Sequence, residues 1–312
     1  MDVWTYVDSL NRMRGYVTLL LLLSAVWGAS YLFIKVGVRD FEPAAFVELR
    51  LLFAAPVLLG FLFMRSGVRG GFRDLRDAAV PGLVLGTVNA AVPFALIAWG
   101  EKHVDSGVAA IANASVPLFN FLLVMHFAPE ERVGRERLAG LLIGIVGIGV
   151  LAGVHPSGGW WAVAGTLAVV LASFSYAVGG IYGQKQTGHR TGPVLAAATI
   201  VAAALVTLPF ALLQLPSHAP GWKPVASAAA LGILGTGIAQ LLLFRLLRHY
   251  GSSRTSLVTF LLPPIALFYG VTLLGEQLTA QAVGGLVLIL LGVALGSGLV
   301  RLTRAAPVSE TP

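Results

Sequence analysis

The chain has 312 residues, of which 57% are hydrophobic and only 11% are charged. Soluble domains have about a quarter of charged residues, so this composition excludes an ordinary soluble globule and indicates a polytopic membrane protein. The chain has no cysteine, which excludes disulfides, thiolate metal sites and cysteine nucleophiles. The net charge of +7 does not indicate nucleic-acid binding here, because the basic residues lie between apolar runs and orient membrane helices.

Apolar runs that are long enough to cross a hydrocarbon core of about 30 Å follow one another along the chain. One of them is long enough for two spans and is divided by a turn signal at 155–159. The runs are continuous rather than alternating, which favours helices over strands. The sequence therefore predicts an all-α membrane protein with ten transmembrane helices, the first of which is a retained span and not a signal peptide. The runs are 15–34, 43–64, 78–100, 106–129, 138–184, 191–222, 224–244, 255–275 and 277–300.

The basic residues predict the orientation of this bundle. If the N-terminus is cytoplasmic, sixteen Lys and Arg residues lie in inside segments and four lie in outside segments. This is a strong positive-inside bias. We therefore expect a bacterial-type inner membrane protein with both termini in the cytoplasm.

The two halves of the chain resemble each other and predict an internal repeat. Residues 1–154 form the first five-helix repeat, 160–300 the second, and 301–312 a polar cytoplasmic tail. Because five is odd, the second repeat crosses the membrane in the opposite sense, and inverted repeats are typical of transporters that work by alternating access. The matching positions are Leu85-Gly86-Thr87 with Leu234-Gly235-Thr236, Pro117 with Pro264, Glu131 with Glu276, Gly140 with Gly285, and Gly147 with Gly292.

Several segments resemble those of a known family. The first helix contains Trp27-Gly28-Ala29-Ser30-Tyr31-Leu32-Phe33-Ile34-Lys35, helix 2 contains Arg50, and each half ends with a proline, a glutamate and a glycine-rich helix. In these features the chain resembles the EamA-type transporters of the drug/metabolite transporter superfamily, over residues 16 to 300. The resemblance implies a ten-helix exporter of amino acids or other small metabolites. It also implies that helices 1–4 and 6–9 enclose the pathway, and that helices 5 and 10 are scaffold or dimer contacts.

Polar and aromatic residues inside the spans are the candidates for substrate binding, because burying them in a membrane is costly unless they have a role. Asn113, Pro117 and Asn120 share one face of helix 4, and Pro117 frees a backbone carbonyl. Arg50 is a candidate for binding a substrate carboxylate or closing a gate. The alternatives are hydrogen bonds between helices for the asparagines and interfacial anchoring for the aromatic residues. The predicted substrate-binding set is Trp27, Tyr31, Arg50, Asn89, Asn113, Asn120, Tyr176 and Gln240.

A second set of residues is predicted to act in gating or coupling. Lys35 ends helix 1 and Glu48 lies near the start of helix 2, so a short loop would let the two pair. That pair is either a structural salt bridge or an outer gate, with Glu48 as a protonatable coupling residue. Pro117 and Pro264 complete this set, and Pro263-Pro264 predict a kink or break in helix 9.

Two GxxxG pairs, Gly140/Gly144 and Gly292/Gly296, allow close helix packing within one chain or in a homodimer through helices 5 and 10. No P-loop and no HExxH motif occurs, so we expect no enzyme, no metal and no cofactor. The expected partners are a small-molecule substrate and the lipid bilayer. The alternative functions are a carrier of hydrophobic drugs or toxic metabolites, an intramembrane enzyme, and a sensor or scaffold.

Overall fold

The computed structural model describes residues 3–127, 135–152, 159–187 and 189–296, and every regular element in these ranges is helical. Within them, seven helices are long and apolar enough to cross a membrane, and three further apolar helices are shorter. The helices are α1 (Val3–Gly37), α2 (Pro43–Asp77), α3 (Ala79–Glu101), α4 (Ser106–Asn113 with Val116–Phe127), α5 (Arg135–Ala152), α6 (Gly159–Thr187), α7 (Gly192–Leu213), α8 (Trp222–Tyr250), α9 (Val258–Leu274) and α10 (Ala280–Gly296).

The predicted helical spans agree with these helices, and the prediction of an all-helical protein is confirmed. Most of the predicted turn at 155–159 and the tail 301–312 lie outside the described residues, as does the side chain of Glu131. A one-turn helix, Ser252–Thr255, precedes α9.

Many small residues lie inside the bundle, and many large apolar residues lie on its surface. Ala109, Ala110 and Ala112 of α4 are fully buried, whereas Leu142 and Leu291 are among the exposed leucines. In water this distribution would be unfavourable, but lipid is as apolar as leucine, and helices in a membrane associate through the close contact of small residues. The pattern is that of helices surrounded by lipid.

The largest helix contacts follow a two-fold pattern. α5 packs on α10, α2 on α7, and α4 on α9; α1 packs on α9 as α6 packs on α4; α3 packs on α7 as α8 packs on α2; and α1 packs on α8 as α6 packs on α3. Exchanging α1–α5 with α6–α10 leaves this set of neighbours unchanged. Both halves therefore use corresponding helices for corresponding contacts.

The α5 and α10 pair is built on its glycines. A Cβ atom on Gly140 would lie 2.6 Å from the Gly296 nitrogen, and one on Gly292 would lie 2.6 Å from the Gly140 carbonyl oxygen. The backbones can approach this closely only because neither residue has a side chain. The two GxxxG pairs are thus used within one chain, and a homodimer through other faces of these helices stays a prediction.

Three helices depart from regular α geometry, and α4 is interrupted. α3 is π-helical over Thr87–Ala91, α8 over Leu231–Ile238 and α9 over Gly270–Leu274, while Ala114 and Ser115 separate the two parts of α4. Such bulges widen the helix locally and are frequent at functional sites. The first two lie at the Leu-Gly-Thr segments that match between the halves.

Of the predicted kink or break at Pro263-Pro264, the break is wrong, because Val258–Tyr269 is one uninterrupted helix with both prolines inside it; the kink stays a prediction. A proline removes a hydrogen bond to the residue four positions earlier, so the carbonyls of Thr259 and Phe260 lose their helical donors without ending the helix. The irregular turn of α9 comes later, at Gly270.

The break in α2 is at Gly67, where φ is +67° and ψ is 164°. Glycine adopts this positive φ without strain, so the chain turns there and continues as a second helical segment to Asp77. Ser66 donates to Asp74 at 3.0 Å, and the rings of Phe63 and Phe72 lie 5.2 Å apart. The first helical segment of α2 therefore ends at Gly67, close to the predicted limit of residue 64.

Candidate functional site

A cavity of about 340 Å³ lies between α1, α2, α3, α4, α6, α8 and α9. This volume is at the lower end of the range of small-molecule sites. Seven of the eight residues that were predicted to bind substrate line it, and the exception is Asn120 on α4. The seven are Trp27, Tyr31, Arg50, Asn89, Asn113, Tyr176 and Gln240; the other lining residues are Ser30, Ile34, Phe94, Ile97, Ala114, Val116, Gly235, Thr236, Leu243, Val258, Thr259, Leu262 and Pro263.

Arg50 is the charged residue of this lining. Its Nε donates to the Thr236 hydroxyl at 2.8 Å, and its guanidinium carbon lies 3.5 Å from the centre of the Phe94 ring. Within the described residues it has no carboxylate within salt-bridge distance, although it is 7% exposed. The cavity therefore carries a buried positive charge whose Nη groups can bind an anion.

The π-helical segment of α8 positions the partner of Arg50. The Thr236 hydroxyl donates to the Leu231 carbonyl, five residues earlier, at 3.1 Å, which leaves its oxygen free to accept from Arg50. Close helix contact requires Gly232, where a Cβ atom would lie 2.5 Å from the Arg50 carbonyl oxygen. α2 and α8 thus meet at the guanidinium.

Asn113 joins three helices at the wall of the cavity. Its side-chain nitrogen donates to the Tyr31 hydroxyl at 2.7 Å, and its side-chain oxygen accepts from the Ser173 hydroxyl at 3.1 Å. Tyr31 is on α1 and Ser173 on α6, so the amide links both helices to α4 at the point where α4 is interrupted. The asparagine therefore serves as a structural link and as part of the lining.

Asn89 occupies the π-helical turn of α3, against α6. A Cβ atom on Gly179 would lie 2.7 Å from the Asn89 side-chain oxygen, so the glycine makes room for the amide. The Ser175 hydroxyl donates to the Val88 carbonyl at 2.6 Å. Among the aromatic residues, Phe94 and Tyr176 face each other with ring centres 6.5 Å apart.

The predicted pair of Lys35 and Glu48 does not form. The Lys35 ammonium donates to the backbone carbonyls of Glu101 at 2.8 Å and Val104 at 2.6 Å. The Glu101 carbonyl ends α3 and the Val104 carbonyl lies in the turn that follows, so neither has a helical donor and a cation is favourable there. Glu48 is 6% exposed, and its Oε2 has no hydrogen-bond partner among the described residues.

The two predicted gating prolines lie apart from the described cavity. Pro117 is half-buried near the start of the second part of α4, and Pro264 faces outward on α9. Pro263, which was not predicted as a site residue, is buried and lines the cavity. The helical phase of α9 explains the difference, since successive residues point about 100° apart.

Two glutamates near the gating set were missed. Glu276 accepts from the Ser106 nitrogen at 2.7 Å, the Ser106 hydroxyl at 2.9 Å and the Gly107 nitrogen at 3.1 Å. Glu101 is fully buried. Two features of the sequence could have identified these glutamates. Glu276 matches Glu131 between the halves, and Glu101 directly follows an apolar run. Nearby, burial and the charge of Glu276 raise the pKa of Asp105, while Lys35 opposes this shift.

A model of the EamA-like transporter family matches the chain twice, over residues 14–153 and 163–298. The chain belongs to the EamA-like transporter family. This EamA-like protein is 31% identical over 290 residues to the uncharacterized inner membrane transporter YedA of Escherichia coli, with 90% of each chain covered. It is 28% identical over 311 residues to a probable amino-acid metabolite efflux pump of Salmonella typhimurium, with 96% of this chain and 100% of that protein covered.

A crystal structure of another protein has the same fold, with a TM-score of 0.63 and 21% sequence identity, covering 91% of this chain and 98% of that chain. The likeness concerns the fold alone. Together with the apolar helices, the relatives identify this EamA-like protein as a multi-pass inner membrane transporter.

Proposed function

We propose that the protein exports amino acids or related small metabolites by alternating access, through ten spans that form two inverted five-helix repeats. The observation that carries the substrate class is Arg50, a buried guanidinium that lines the cavity and has no carboxylate partner among the described residues. A carboxylate in the solute would supply that partner through two parallel hydrogen bonds.

The rest of the lining suits the remainder of such a solute. Asn89, Asn113 and Gln240 offer amide groups, and Trp27 and Tyr176 offer aromatic faces. Amide oxygens and aromatic faces attract an ammonium group without an acidic side chain. The name of the Salmonella relative, an amino-acid metabolite efflux pump, supports the same class.

The inverted repeat is supported by the two-fold pattern of helix neighbours and by the two matches of the family model. The cavity lies between helices of both halves, α1 to α4 and α6, α8 and α9. A site at the interface of two related halves becomes accessible from either side when one half rocks against the other. Transport therefore needs no enzymatic step in this proposal.

The proposal is tested by uptake into proteoliposomes of labelled amino acids and of the corresponding carboxylic acids and amines. We expect uptake of carboxylate-bearing solutes, and a loss of about tenfold to a hundredfold in apparent affinity in Arg50→Gln, because a charge-assisted hydrogen bond contributes about 1.5–3 kcal/mol. Lys102→Gln is the control, since Lys102 pairs with Glu42 at 2.6 Å on the exposed surface.

Either of two results would contradict the substrate class. One is uptake of amines that lack a carboxylate with no uptake of any carboxylate, which would favour the carrier of hydrophobic drugs. The aromatic residues Trp27, Phe94 and Tyr176 of the lining are the observation in favour of that alternative. The other is unchanged carboxylate affinity in a folded Arg50→Gln protein.

A further inference from the structure

Charged groups gather where α3 ends and α4 begins. Lys35 of α1 binds the carbonyls of Glu101 and Val104, and Glu276, in the connection from α9 to α10, binds the first nitrogens of α4. The two contacts tie α1 and the end of α9 to the same short turn. Ile34 and Ile97 line the cavity and lie on α1 and α3 just before Lys35 and Glu101, so this cluster lies beside the cavity.

Glu101 differs from the other charged groups of this cluster. It is 0% exposed, and neither of its carboxylate oxygens has a hydrogen-bond partner among the described residues. Lys35 and Glu276 are the charges that act on this carboxyl group. An ionised carboxylate that is buried without donors is costly, and an ionisable group of this kind inside a membrane protein indicates a function.

We propose that the Glu101 carboxyl is a proton-binding site of the transport cycle, whose protonated form keeps this end of the cavity closed and whose ionised form opens it. The inference rests on the proposed alternating access and adds the coupling proton and its site. It assigns this role to Glu101 in place of Glu48, for which the sequence left open a structural salt bridge or a coupling role.

The mechanism is a competition for one ammonium group. While Glu101 is neutral, Lys35 gains most from the two carbonyl oxygens at the end of α3. When Glu101 loses its proton, its carboxylate attracts Lys35 more strongly than a carbonyl does and repels the Glu276 carboxylate. The contact of Lys35 with the Val104 carbonyl and that of Glu276 with the start of α4 are then weakened together.

The other titratable groups around Glu101 are engaged elsewhere or lie at the margin. Lys102 and Glu42 pair with each other at 2.6 Å, and the ring of His103 stacks on Trp161 of α6 with ring centres 5.3 Å apart. Asp105 lies just before α4, where burial and the charge of Glu276 raise its pKa and Lys35 lowers it. Lys35 of α1 and Glu276 after α9 act on the Glu101 carboxyl, and Glu101 in turn acts on Tyr31 of α1. Lys102, His103 and Asp105 follow Glu101 in the chain, and Glu42, just before α2, pairs with Lys102.

The direction of proton movement in this cycle fits export of the solute. With the N-terminus in the cytoplasm, the end of α3 lies on the outer side of the membrane. An ionised Glu101 in the outward-open form takes a proton from outside, and the neutral form then closes that side. The proton leaves toward the cytoplasm before the next outward opening, so one proton enters as solute leaves.

The test measures opening with no solute added. Because the chain has no cysteine, Ile97→Cys places a single thiol in the cavity beside the cluster, and an impermeant maleimide is added to intact cells. Its labelling rate is divided by that of Trp160→Cys, which is 86% exposed and corrects for the ionisation of the thiol. We expect this ratio to rise with pH, by up to about tenfold per pH unit for one linked proton.

The ratio should stay low and independent of pH in Glu101→Gln, which mimics the protonated form. It should keep its pH dependence in Glu48→Gln, the matched control, because Glu48 is also a buried carboxyl with an unpartnered oxygen. A flat ratio in the otherwise unchanged chain, or persistent pH dependence in Glu101→Gln, would overturn the proposal.

Lys35→Gln provides a second variant if Glu101→Gln does not fold. Without the ammonium tie, the ratio should be high at every pH, and a low, pH-dependent ratio would again overturn the proposal. No solute is added in this test. A pH-dependent ratio in a protein that takes up no amino acid would therefore refute the substrate class, but it would not refute the closure by Lys35, Glu101 and Glu276, which we call the lock. A flat ratio with uptake would refute the lock alone.

Discussion

Arg50 is oriented by an uncharged hydroxyl and an aromatic ring, and not by a counter-ion among the described residues. The Thr236 hydroxyl holds Nε, and the Phe94 ring covers the guanidinium. A salt bridge with a buried acid would neutralise the arginine and leave no reason for an anion to enter. An aromatic face and a hydroxyl stabilise the cation while keeping both Nη groups available, as a site for a carboxylate requires.

The hydrogen bond between Asn113 and Tyr31 gives a prediction on stability. Tyr31→Phe removes the acceptor of the Asn113 amide, and we expect a loss of about 1 kcal/mol in the free energy of unfolding, within the range measured between membrane helices. In the double variant with Asn113→Ala, the loss should be smaller than the sum of the two single losses. Tyr176→Phe is the control, because the Tyr176 hydroxyl makes no hydrogen bond among the described residues. Additive losses in bicelles would show that the pair is not coupled.

At the scale of helices, irregular segments place the polar groups. The π-helical turn of α3 carries Asn89, that of α8 carries Thr236, and the interruption of α4 follows Asn113. A regular helix satisfies its own backbone and presents its side chains every 100°. A bulge changes this phase locally, so a polar side chain reaches the cavity while the rest of the helix keeps its apolar face on its neighbours.

These irregular turns also explain how much of the site the sequence predicted. Asn113 and Arg50, which line the cavity, were candidates in the sequence because a charge or an amide in an apolar span has few other uses. Asn120 shares a helical face with Asn113 in a regular helix, but the interruption at Ala114 changes that relation. The partner of Lys35 was missed because spacing along the chain does not predict which helix end lies across a loop.

Close contact between α5 and α10 gives the prediction at this scale. Gly292→Ala would place a Cβ atom 2.6 Å from the Gly140 carbonyl oxygen, and overpacking of this kind costs about 1–3 kcal/mol. Gly149→Ala on α5 is the control, since a Cβ atom there would meet nothing within 4 Å and alanine favours a helix. Thermal unfolding in detergent should show a lower midpoint for Gly292→Ala only. Equal midpoints for Gly292→Ala and Gly149→Ala would mean that α5 and α10 move apart at little cost in free energy.

At the scale of the whole molecule, the two-fold pattern of helix neighbours and the contacts at the turn between α3 and α4 belong to the same arrangement of the two halves. Glu276, from the second half, caps the start of α4 in the first half. The halves are thus tied at the same end at which Lys35 binds α3. A transporter that closes one end through contacts between its halves can open that end by breaking them, while its packed helix pairs stay intact.

The orientation of the helix bundle in the membrane can be tested with single cysteines in the otherwise cysteine-free chain. Thr187→Cys lies at the exposed end of α6, and Leu278→Cys lies in the exposed connection between α9 and α10. With both termini in the cytoplasm, an impermeant maleimide added to intact cells should label Leu278→Cys and not Thr187→Cys, because the basic residues around α6 favour the cytoplasmic side. Detergent should make both thiols reactive, which controls for burial. The reverse pattern would turn the bundle over and would place the lock formed by Lys35, Glu101 and Glu276 on the cytoplasmic side.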